Sequence, residues 1–457
     1  MSFIALLMLF SLDAQSDSGD PTGDSNEQPA SITEPEPPPP PPEPEPIRSQ
    51  ARIALVGDVI PHGAVKAAAR TAATPDNHGG WDVLLADIAP HIRAHDLAFA
   101  NLETPVAPTT NKGARPFVFN APPGLLDALK WAGFDLLSFA NNHVYDQHIA
   151  GFKETLEELK KRGFTPLGAG QTCEEAKAPH IVETKGISVA IIGSSRIYNE
   201  YFKPVENEHC SNRVFSVDDL LPSVEKAQNE GAEIILVSMH HGSEYKITPN
   251  STEIKIVHAL IDAGVDVFIG HHAHVLQPIE QITTDKGNTG HAVWSLGNFL
   301  TNQSAWYVHG QSKAKDGYPR DSGIVTLNVI QRGLTEASVS TAVETIEMEP
   351  VWVKYDRTKR PVRMHPVLIR EAVKEIDKAI SVELDPKAVP LLKKRRKLYT
   401  DRLVQIQKVV GKDFVLVPEE PKSIIANPAD TTPTPTPDAT VPPVQAPAQT
   451  TEPGPTP

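Results

Sequence analysis

Basic residues and cysteines are scarce in this chain, and both shortages exclude classes of protein. The chain has 43 Lys and Arg residues against 57 Asp and Glu residues, which gives a formal net charge of −14. Nucleic-acid scaffolds need a basic stripe to displace the counterions of phosphates, so we expect no nucleic-acid partner. The two cysteines, Cys173 and Cys210, are too few for a zinc site or a disulfide scaffold. They form either one disulfide in an oxidising compartment or a buried pair of free thiols. A Gly-rich phosphate loop, a serine-hydrolase elbow and a dinucleotide fingerprint are also missing from the sequence.

The two ends of the chain differ in composition from its middle. The N-terminus has an apolar run of signal-peptide length, which is too short to span a bilayer and has no Lys or Arg before it. We interpret residues 1–15 as a signal peptide or short membrane-targeting segment, with a disordered apolar end as the alternative. Residues 16–47 are rich in Pro and Glu and residues 416–457 in Pro and Thr, which favours extended polyproline over packing. The sequence therefore predicts an exported protein, at the cell surface or in the periplasm, with a disordered linker and a disordered tail.

The middle of the chain alternates short apolar runs with stretches of helical length. Continuous apolar strands that alternate with amphipathic helices indicate sheets whose faces are covered. We therefore expect an α/β fold over residues 48–350, a layered β-sandwich flanked by helices, and a helical extension over residues 351–415. The basic cluster at 393–397 is interpreted as a solvated helix face, with contact to an anionic surface as the alternative. The apolar runs cover residues 51–58, 96–103, 134–143, 186–195, 232–242, 265–274 and 291–299.

Polar side chains that suit metal binding stand at the ends of these runs. In open α/β sheets, ligands bind outside the carboxyl ends of the strands. We therefore expect these side chains to converge on one crevice. They are Asp58, Glu103, Asn142, His143, His240, His271, His272 and His274.

Three of these histidines occur within four positions, in the stretch GHHAH. In an extended segment, side chains two positions apart share a face, so His272 and His274 are expected to point one way and His271 the other. Imidazole groups bind divalent transition metals, and carboxylates bridge two ions. The pattern predicts metal or phosphate chemistry, with one or two divalent transition metal ions (Mn, Fe or Zn) as the cofactor.

Six motifs follow one another in order along the chain: GDVIPHG (57–63), NLETPV (101–106), FANNHVYD (139–146), SMHHGSEY (238–245), GHHAHVLQPIE (270–280) and WSLGNFLTNQ (294–303). Together they resemble the CapA family, which is named for poly-γ-glutamate capsule synthesis and is related to calcineurin-like metallophosphoesterases. The resemblance runs from about residue 52 to about residue 330 and implies a calcineurin-like β-sandwich.

The resemblance also implies a role for each residue at the strand ends. Glu103 matches the bridging carboxylate of the related phosphoesterases, and His143 matches the histidine that faces the leaving group. Asp58 matches the aspartate ligand that follows the first strand. The candidate catalytic residues are Asp58 and His143. The implied metal ligands are Asp58, Glu103, Asn142, His240, His272 and His274.

The implied function is that of a metal-dependent hydrolase of phosphoester type in capsule or poly-γ-glutamate synthesis. Two alternatives stay open. One is a non-catalytic, surface-anchored accessory protein for the synthesis or export of an anionic capsule polymer. The other is an amide hydrolase that acts on such a polymer. The expected partners are an anionic polymer or phosphoester substrate and other capsule-synthesis proteins at the membrane.

The sequence departs from the family pattern at three positions. Ile60 stands where the phosphoesterases have the histidine of an Asp-x-His motif, and the nearest histidine is His62. His241 replaces the usual Trp after the histidine of the fifth strand, and His148 replaces a Gly near the start of the helix after NNH. The first departure puts a second metal ion in doubt, and the other two concern the substrate pocket.

Four further residues have two interpretations each. Asn298 either lines the site or belongs to a structural turn. Glu244 and Tyr245 either help to hold His240 or simply pack. Arg115 either contacts an anionic substrate or is an exposed loop arginine.

Overall fold

The computed structural model describes residues 45–110, 117–335, 338–383 and 385–416. The expected signal segment, nearly all of the Pro/Glu linker, the Pro/Thr-rich tail after Leu416 and Arg115 lie outside the described residues. The fold described below lies within the compact unit Pro46–Pro457. Among the residues that the model describes, no helix has the length and apolar character needed to cross a membrane.

The secondary structure alternates strands and helices, as the apolar runs predict. The strands are β1 (Ile47–Val59), β2 (Leu97–Leu102), β3 (Leu136–Ser138), β4 (Pro166–Leu167), β5 (Ala169–Gly170), β6 (His180–Thr184), β7 (Ile187–Ser195), β8 (Cys210–Ser211), β9 (Ile234–His240), β10 (Val267–His271), β11 (Ile279–Thr283), β12 (Thr289–Val293), β13 (Asn298–Leu300), β14 (Asp321–Arg332), β15 (Ser340–Asp356) and β16 (Arg363–Leu368). The α-helices are α1 (Gly63–Ala72), α2 (Trp81–Leu85), α3 (Ala89–Ile92), α4 (Gly124–Ala132), α5 (His148–Lys161), α6 (Cys173–Lys177), α7 (Leu221–Asn229), α8 (Ser251–Asp262), α9 (Ile369–Val382) and α10 (Ala388–Val410).

Most strands belong to two large sheets. The first sheet has the order β16-β15-β14-β1-β2-β3-β4, and β13 also pairs with β1. The second sheet has the order β11-β12-β10-β9-β7-β6. Strands β1 to β4 run parallel in the first sheet, and β7, β9, β10 and β12 run parallel in the second. Every residue of β2, β7 and β9 is buried, which explains why their sequences read as continuous apolar runs.

The two sheets pack face to face, and helices cover their outer faces. Ile53 and Phe99 of the first sheet lie in one apolar core with Ile269 of the second sheet. A second core joins the outer face of the first sheet to α4 and α5, and a third joins the outer face of the second sheet to α7 and α8. This layered arrangement confirms the expected α/β sandwich flanked by helices.

The boundary expected at residue 350 falls inside a strand. Strand β15 continues to Asp356 and pairs with β14 and β16, so residues 351–368 belong to the first sheet rather than to a helical extension. The segment Val351–Val353 is buried and apolar, and it lies on the second strand from one edge of this sheet. Helical structure begins at Ile369, where α9 starts.

The C-terminal helix α10 is tied to the first sheet by a buried ion pair. Arg402 and Asp321 are both less than 6% exposed, and Arg402 Nε donates to Asp321 Oδ1 at 2.8 Å. A second guanidinium nitrogen donates to the Ala314 carbonyl at 2.9 Å. The helices after residue 368 therefore pack on the core, with Ile406 in the apolar layer between the sheets.

Cys173 and Cys210 form a disulfide across 37 positions. The bridge joins the first residue of α6 to β8, which pairs with β5. Of the two alternatives for the cysteines, the structure has the bridged one.

Candidate metal centre

The polar strand ends meet where parallel strands of both sheets finish. Asp58 lies near the end of β1, in register with Asn101 of β2 and Asn298 of β13. In the second sheet, His240 and His271 are the last residues of β9 and β10 and lie in register with each other. Because the inner faces of the sheets pack together, the two sets of strand ends face the same space.

All six implied metal ligands lie in this space and are buried. His274 Nδ1 lies 3.1 Å from Asp58 Oδ2, and His240 Nε2 lies 2.9 Å from Asn142 Oδ1. His272 Nδ1 lies 3.1 Å from His240 Nε2. These donor atoms form two groups, Glu103–His240–His272 and Asp58–Glu103–His274, with the atoms of each group within 4.8 Å of one another. Glu103 belongs to both groups, as a bridging carboxylate would.

Glu103 is a buried carboxylate of the cluster that lacks a hydrogen-bond donor among the described residues. Its side chain is fully buried, and no N–H or O–H group of the described chain donates to either carboxylate oxygen. The nearest nitrogens are His240 Nε2 at 3.6 Å and His274 Nε2 at 3.7 Å from Oε1. Burial and the negative charge of the neighbouring Asp58 raise the pKa of Glu103 well above its ordinary value. A divalent ion would supply the missing partner, so the donor set fits a metal.

The electrostatics keep the other ligands in their metal-binding forms. Burial would raise the pKa of Asp58, but hydrogen bonds with His271 and His274 hold it well below its ordinary value. Burial and the adjacent imidazole of His272 hold the pKa of His240 well below its ordinary value. Burial and His274 lower the pKa of His272 to about 4. At neutral pH, Asp58 is therefore ionised and His240 and His272 are neutral, which are the states that bind metal.

His271 does not point away from the cluster, contrary to the expectation from an extended segment. Its Nδ1 lies 3.1 Å from Asp58 Oδ1, opposite the contact that His274 makes with the other oxygen. The extended backbone ends at His271, because His272 and His274 have positive φ values of 86° and 55°. These turns break the two-residue alternation, so all three imidazoles reach the same site. His271 thus orients Asp58 and is absent from the two metal-binding groups around Glu103.

His143 stands at the edge of the cluster with one ring nitrogen held. Its Nδ1 lies 2.8 Å from Asp146 Oδ2, and its Nε2 lies 4.0 Å from Glu103 Oε1. Phe119 packs against the ring, with centroids 4.5 Å apart. The Asp146 contact fixes the ring so that Nε2 faces the cluster, which suits a group that gives a proton to a leaving atom.

The three departures from the family pattern have different structural outcomes. Ile60 is 2% exposed, and His62 is held by its own loop, with Nδ1 2.9 Å from the Ile60 carbonyl oxygen. His62 is absent from the metal-binding groups of the described residues, so it does not replace the missing ligand. His241 is buried edge-on against Phe268, with centroids 5.0 Å apart. His148 has a φ of 56°, a left-handed conformation that explains why glycine suits this position.

Three of the residues with two interpretations, Asn298, Glu244 and Tyr245, also lie at the site. Asn298 Oδ1 is 3.1 Å from His274 Nδ1, so Asn298 lines the cluster as well as its turn. Glu244 forms a third possible group with His272 and His274, and it is exposed. The Tyr245 ring lies 6.3 Å from the His274 ring. Glu244 and Tyr245 thus lie beside these two histidines.

Three site residues escape an analysis of strand ends alone. Asn101 Nδ2 donates to Asp58 Oδ1 at 2.8 Å, and the signal for it is a polar residue inside the apolar run LAFANL. Asp146 lies in a turn where no periodicity applies. Asn199 accepts a hydrogen bond from Asn142 Nδ2 at 3.2 Å, although the two residues are 57 positions apart. No local pattern connects such distant residues.

The fold and the cluster of carboxylates, amides and histidines define an α/β protein with a candidate metal centre between two sheets. The model of the family described as bacterial capsule synthesis protein PGA_cap matches residues 52–303, and the chain belongs to this family. The resemblance to the CapA family is thereby confirmed.

Curated relatives agree with this assignment. The chain is 29% identical over 309 residues to the PGA biosynthesis protein CapA of Bacillus subtilis, covering 66% of this chain and 74% of the relative. It is 27% identical over 286 residues to the capsule biosynthesis protein CapA of Bacillus anthracis, covering 60% and 67%.

Solved structures of phosphoesterases are also similar, but distantly. The 5'-nucleotidase precursor from Thermus thermophilus matches at 12% identity and a TM-score of 0.36, covering 79% of this chain and 60% of that one. The calcineurin-like phosphoesterase YfkN from Bacillus subtilis matches at 13% identity and a TM-score of 0.36, covering 66% and 90%. Similarities of this strength carry no conclusion about function.

Proposed function

We propose that the protein is a metal-dependent hydrolase of phosphoester type that serves capsule or poly-γ-glutamate synthesis. The observation that carries the proposal is Glu103, a buried carboxylate without a hydrogen-bond donor that lies in both metal-binding groups. The family and the names of its relatives support the capsule context.

The residues divide into those that hold metal and those that handle the substrate. Glu103 would bridge two ions, and a bound ion supplies Lewis acidity and lowers the pKa of a water molecule. Asp58 is kept ionised and in place by His271 and His274. Asn101 donates to the same carboxylate and fixes its orientation. The ligands are Asp58, Glu103, Asn142, His240, His272 and His274.

His143 acts as the proton donor in this proposal. Asp146 holds Nδ1, while Nε2 faces the cluster. A proton on Nε2 is given to the leaving oxygen as the ester bond breaks. A positioned general acid of this kind contributes about 10²–10⁴-fold to a rate. The same arrangement serves an amide, where the proton goes to the leaving nitrogen.

One observation favours a non-catalytic accessory protein instead. Ile60 places an apolar, buried side chain where the related phosphoesterases have a metal ligand, so the centre lacks the ligand of that position. An incomplete site of this kind binds one ion or an anionic polymer without turnover. The Asn142–His143 pair favours the enzyme, because a site that only binds has less need of a proton donor.

Metal analysis combined with hydrolysis assays separates these functions. The wild-type protein is expected to contain a divalent transition metal and to hydrolyse an aryl phosphodiester or a γ-glutamyl amide. His274→Ala is expected to lose metal and activity together while its circular dichroism is unchanged. His258→Ala, in α8 and outside the cluster, is the matched control. Equal metal content in the wild type and His274→Ala contradicts the ligand assignment. Metal without hydrolysis of any ester or amide supports the accessory protein.

Export is proposed from the apolar N-terminal run and the Pro/Glu segment after it. The protein then acts at the cell surface or in the periplasm, where an anionic polymer and other capsule-synthesis proteins are its partners. Fractionation of cells that make the full-length chain tests this. An unprocessed protein recovered from the cytoplasm contradicts it.

A further inference from the structure

Arg213 lies close to the candidate metal centre but has no assigned role. It forms a parallel bridge with Ser195, the last residue of β7, and Ser195 is in register with His240. Arg213 therefore lies at the same carboxyl end of the second sheet as the metal ligands.

The guanidinium of Arg213 is held between aromatic rings. Its central carbon lies 4.2 Å from the centre of the Tyr201 ring, 4.7 Å from Phe215 and 5.6 Å from Tyr198. The hydroxyl group of Tyr198 lies 2.9 Å from the Ser211 hydroxyl, which fixes that ring in turn. The planar group is thus pre-organised, with aromatic rings against its faces.

The N–H donors of Arg213 have no acceptor in the described part of the chain. Its Nε is buried without a hydrogen-bond partner, and its side chain forms no ion pair among the described residues. The other stacked arginines of this part of the chain behave differently. Arg93 donates to the Trp131 carbonyl, Arg320 donates to the Val353 carbonyl, and Arg402 donates to Asp321. Stacking alone therefore does not explain why the Arg213 donors lack an acceptor, because a buried N–H group without a partner costs free energy.

The segment that supplies one of these rings also reaches the candidate catalytic pair. Tyr198 and Asn199 are consecutive, and the Asn199 side chain accepts from Asn142 Nδ2 at 3.2 Å. Asn199 Nδ2 also lies 3.4 Å from His143 Nδ1. The segment Tyr198–Asn199 therefore connects a ring that contacts Arg213 with the place where the proposed hydrolysis occurs.

We propose that Arg213 is an anion subsite that binds a carboxylate or phosphate group of the substrate beside the scissile bond. A guanidinium offers two parallel N–H donors to such an oxyanion, which supplies the acceptor that the protein does not. The subsite rests on the proposed function in one respect, that the anion belongs to the substrate of the metal centre.

Binding to metal-free protein tests the subsite without requiring hydrolysis. The probe is a γ-linked glutamate decamer, measured by isothermal titration on the full chain in the presence of a chelator. Arg213→Gln is expected to weaken binding by about 10- to 100-fold, the value of a charge-assisted hydrogen bond to an anion. Arg213→Lys is expected to weaken it as well, because an ammonium keeps the charge without the planar fork. Lys203→Gln is the matched control, since it removes one exposed positive charge from the same segment and is expected to bind as the wild type does.

Two competitors identify the anion. Stronger competition by glutarate than by inorganic phosphate assigns a carboxylate, and the reverse order assigns a phosphate. Unchanged binding in Arg213→Gln overturns the proposal, and so does an equal loss in Lys203→Gln, which indicates diffuse attraction. If Arg213→Gln has an altered circular dichroism spectrum, the binding of the decamer to the folded Arg213→Lys variant tests the proposal instead. If the protein purified without chelator holds no metal and hydrolyses no ester or amide, Arg213-dependent binding leaves the subsite intact and refutes the hydrolase.

Discussion

Replacing Glu103 by Gln is expected to have opposite effects on the stability of the metal-free and the metal-bound protein. In the metal-free protein, Glu103 is a buried carboxylate without a donor. It takes up a proton when that is less costly than holding the charge. The buried charge therefore lowers the free energy of unfolding at pH 7.5 by no more than the free energy of protonating the group at that pH. This limit is 1.36 kcal/mol for each pH unit above the ordinary pKa of 4.5, or about 4 kcal/mol. A glutamine side chain at this position carries no charge and can donate to Asp58, so Glu103→Gln is expected to stabilise the metal-free protein by up to this amount.

Metal reverses the order. An ion at more than 1,000 times its dissociation constant stabilises the wild type by more than about 4.1 kcal/mol, which exceeds the metal-free gain, and Glu103→Gln gains none of this because the bridging charge is lost. The pH dependence has a definite sign. Because the pKa of Glu103 is higher in the folded chain than in the unfolded chain, metal-free stability is complete below about pH 4.5 and falls as the pH rises toward the folded pKa.

Urea unfolding with and without chelator, between pH 4.5 and 7.5, measures both effects. Glu103→Gln is expected to remove most of the pH slope, and Glu157→Gln, an exposed glutamate of α5, is the matched control. A metal-free Glu103→Gln protein that is less stable than the wild type at pH 7.5, or one that binds metal equally well, would refute this reasoning.

Three other outcomes are expected. His143→Ala should keep its metal and lose turnover by about 10²–10⁴-fold, as measured by metal analysis and steady-state kinetics, whereas a loss of metal would make His143 a ligand. Arg402→Met leaves Asp321 buried and unpaired, so urea unfolding should show a loss of about 3–5 kcal/mol, and a second change, Asp321→Asn, should restore part of it. A loss below about 1 kcal/mol would show that the pair does not anchor α10. The bridge between Cys173 and Cys210 is worth about 4 kcal/mol on the loop-entropy estimate for 37 positions. Thiol titration of denatured, unreduced protein from its native compartment should find no free thiol, and two free thiols would contradict the bridge.

The sequence predicts the strands that are buried on both faces, because only these read as continuous apolar runs. The strand from Ile187 to Ser195 is an example, and its ends agree with the apolar run within one residue. The strand from Ser340 to Asp356 gives no such signal. Its first half is largely exposed, so it has no apolar run, and its partner from Arg363 to Leu368 is short. The expected boundary at residue 350 is therefore too early, because the strand continues to Asp356 before the helical spacing begins.

The sequence predicts which residue types belong to the candidate site, but it does not predict where their side chains point. Strand ends identify Asp58 and His240, since the carboxyl ends of parallel strands meet at one edge. The direction of His271 depends on the φ angles of the next residues, and composition does not encode these. The contact between Asn142 and Asn199 depends on the path of a loop 57 positions away. Motif analysis finds residues on or just after the strand ends and misses Asn199, which a distant loop brings in.

The ligands come from distant parts of the chain, and this has a consequence for the order of events during synthesis. Asp58 and His274 meet across 216 positions, on strand ends of different sheets. Contacts of such long range form late in folding, because the chain entropy must be lost before the contact is gained. A nascent chain that ends before His272 lacks two of the imidazoles and is expected to bind no ion at the centre. Metal loading of the proposed centre therefore waits until His274 has been made. If the chain is exported unfolded, as proposed, the ion would be taken from the outer compartment, and its identity would reflect the ions available there rather than those of the cytoplasm.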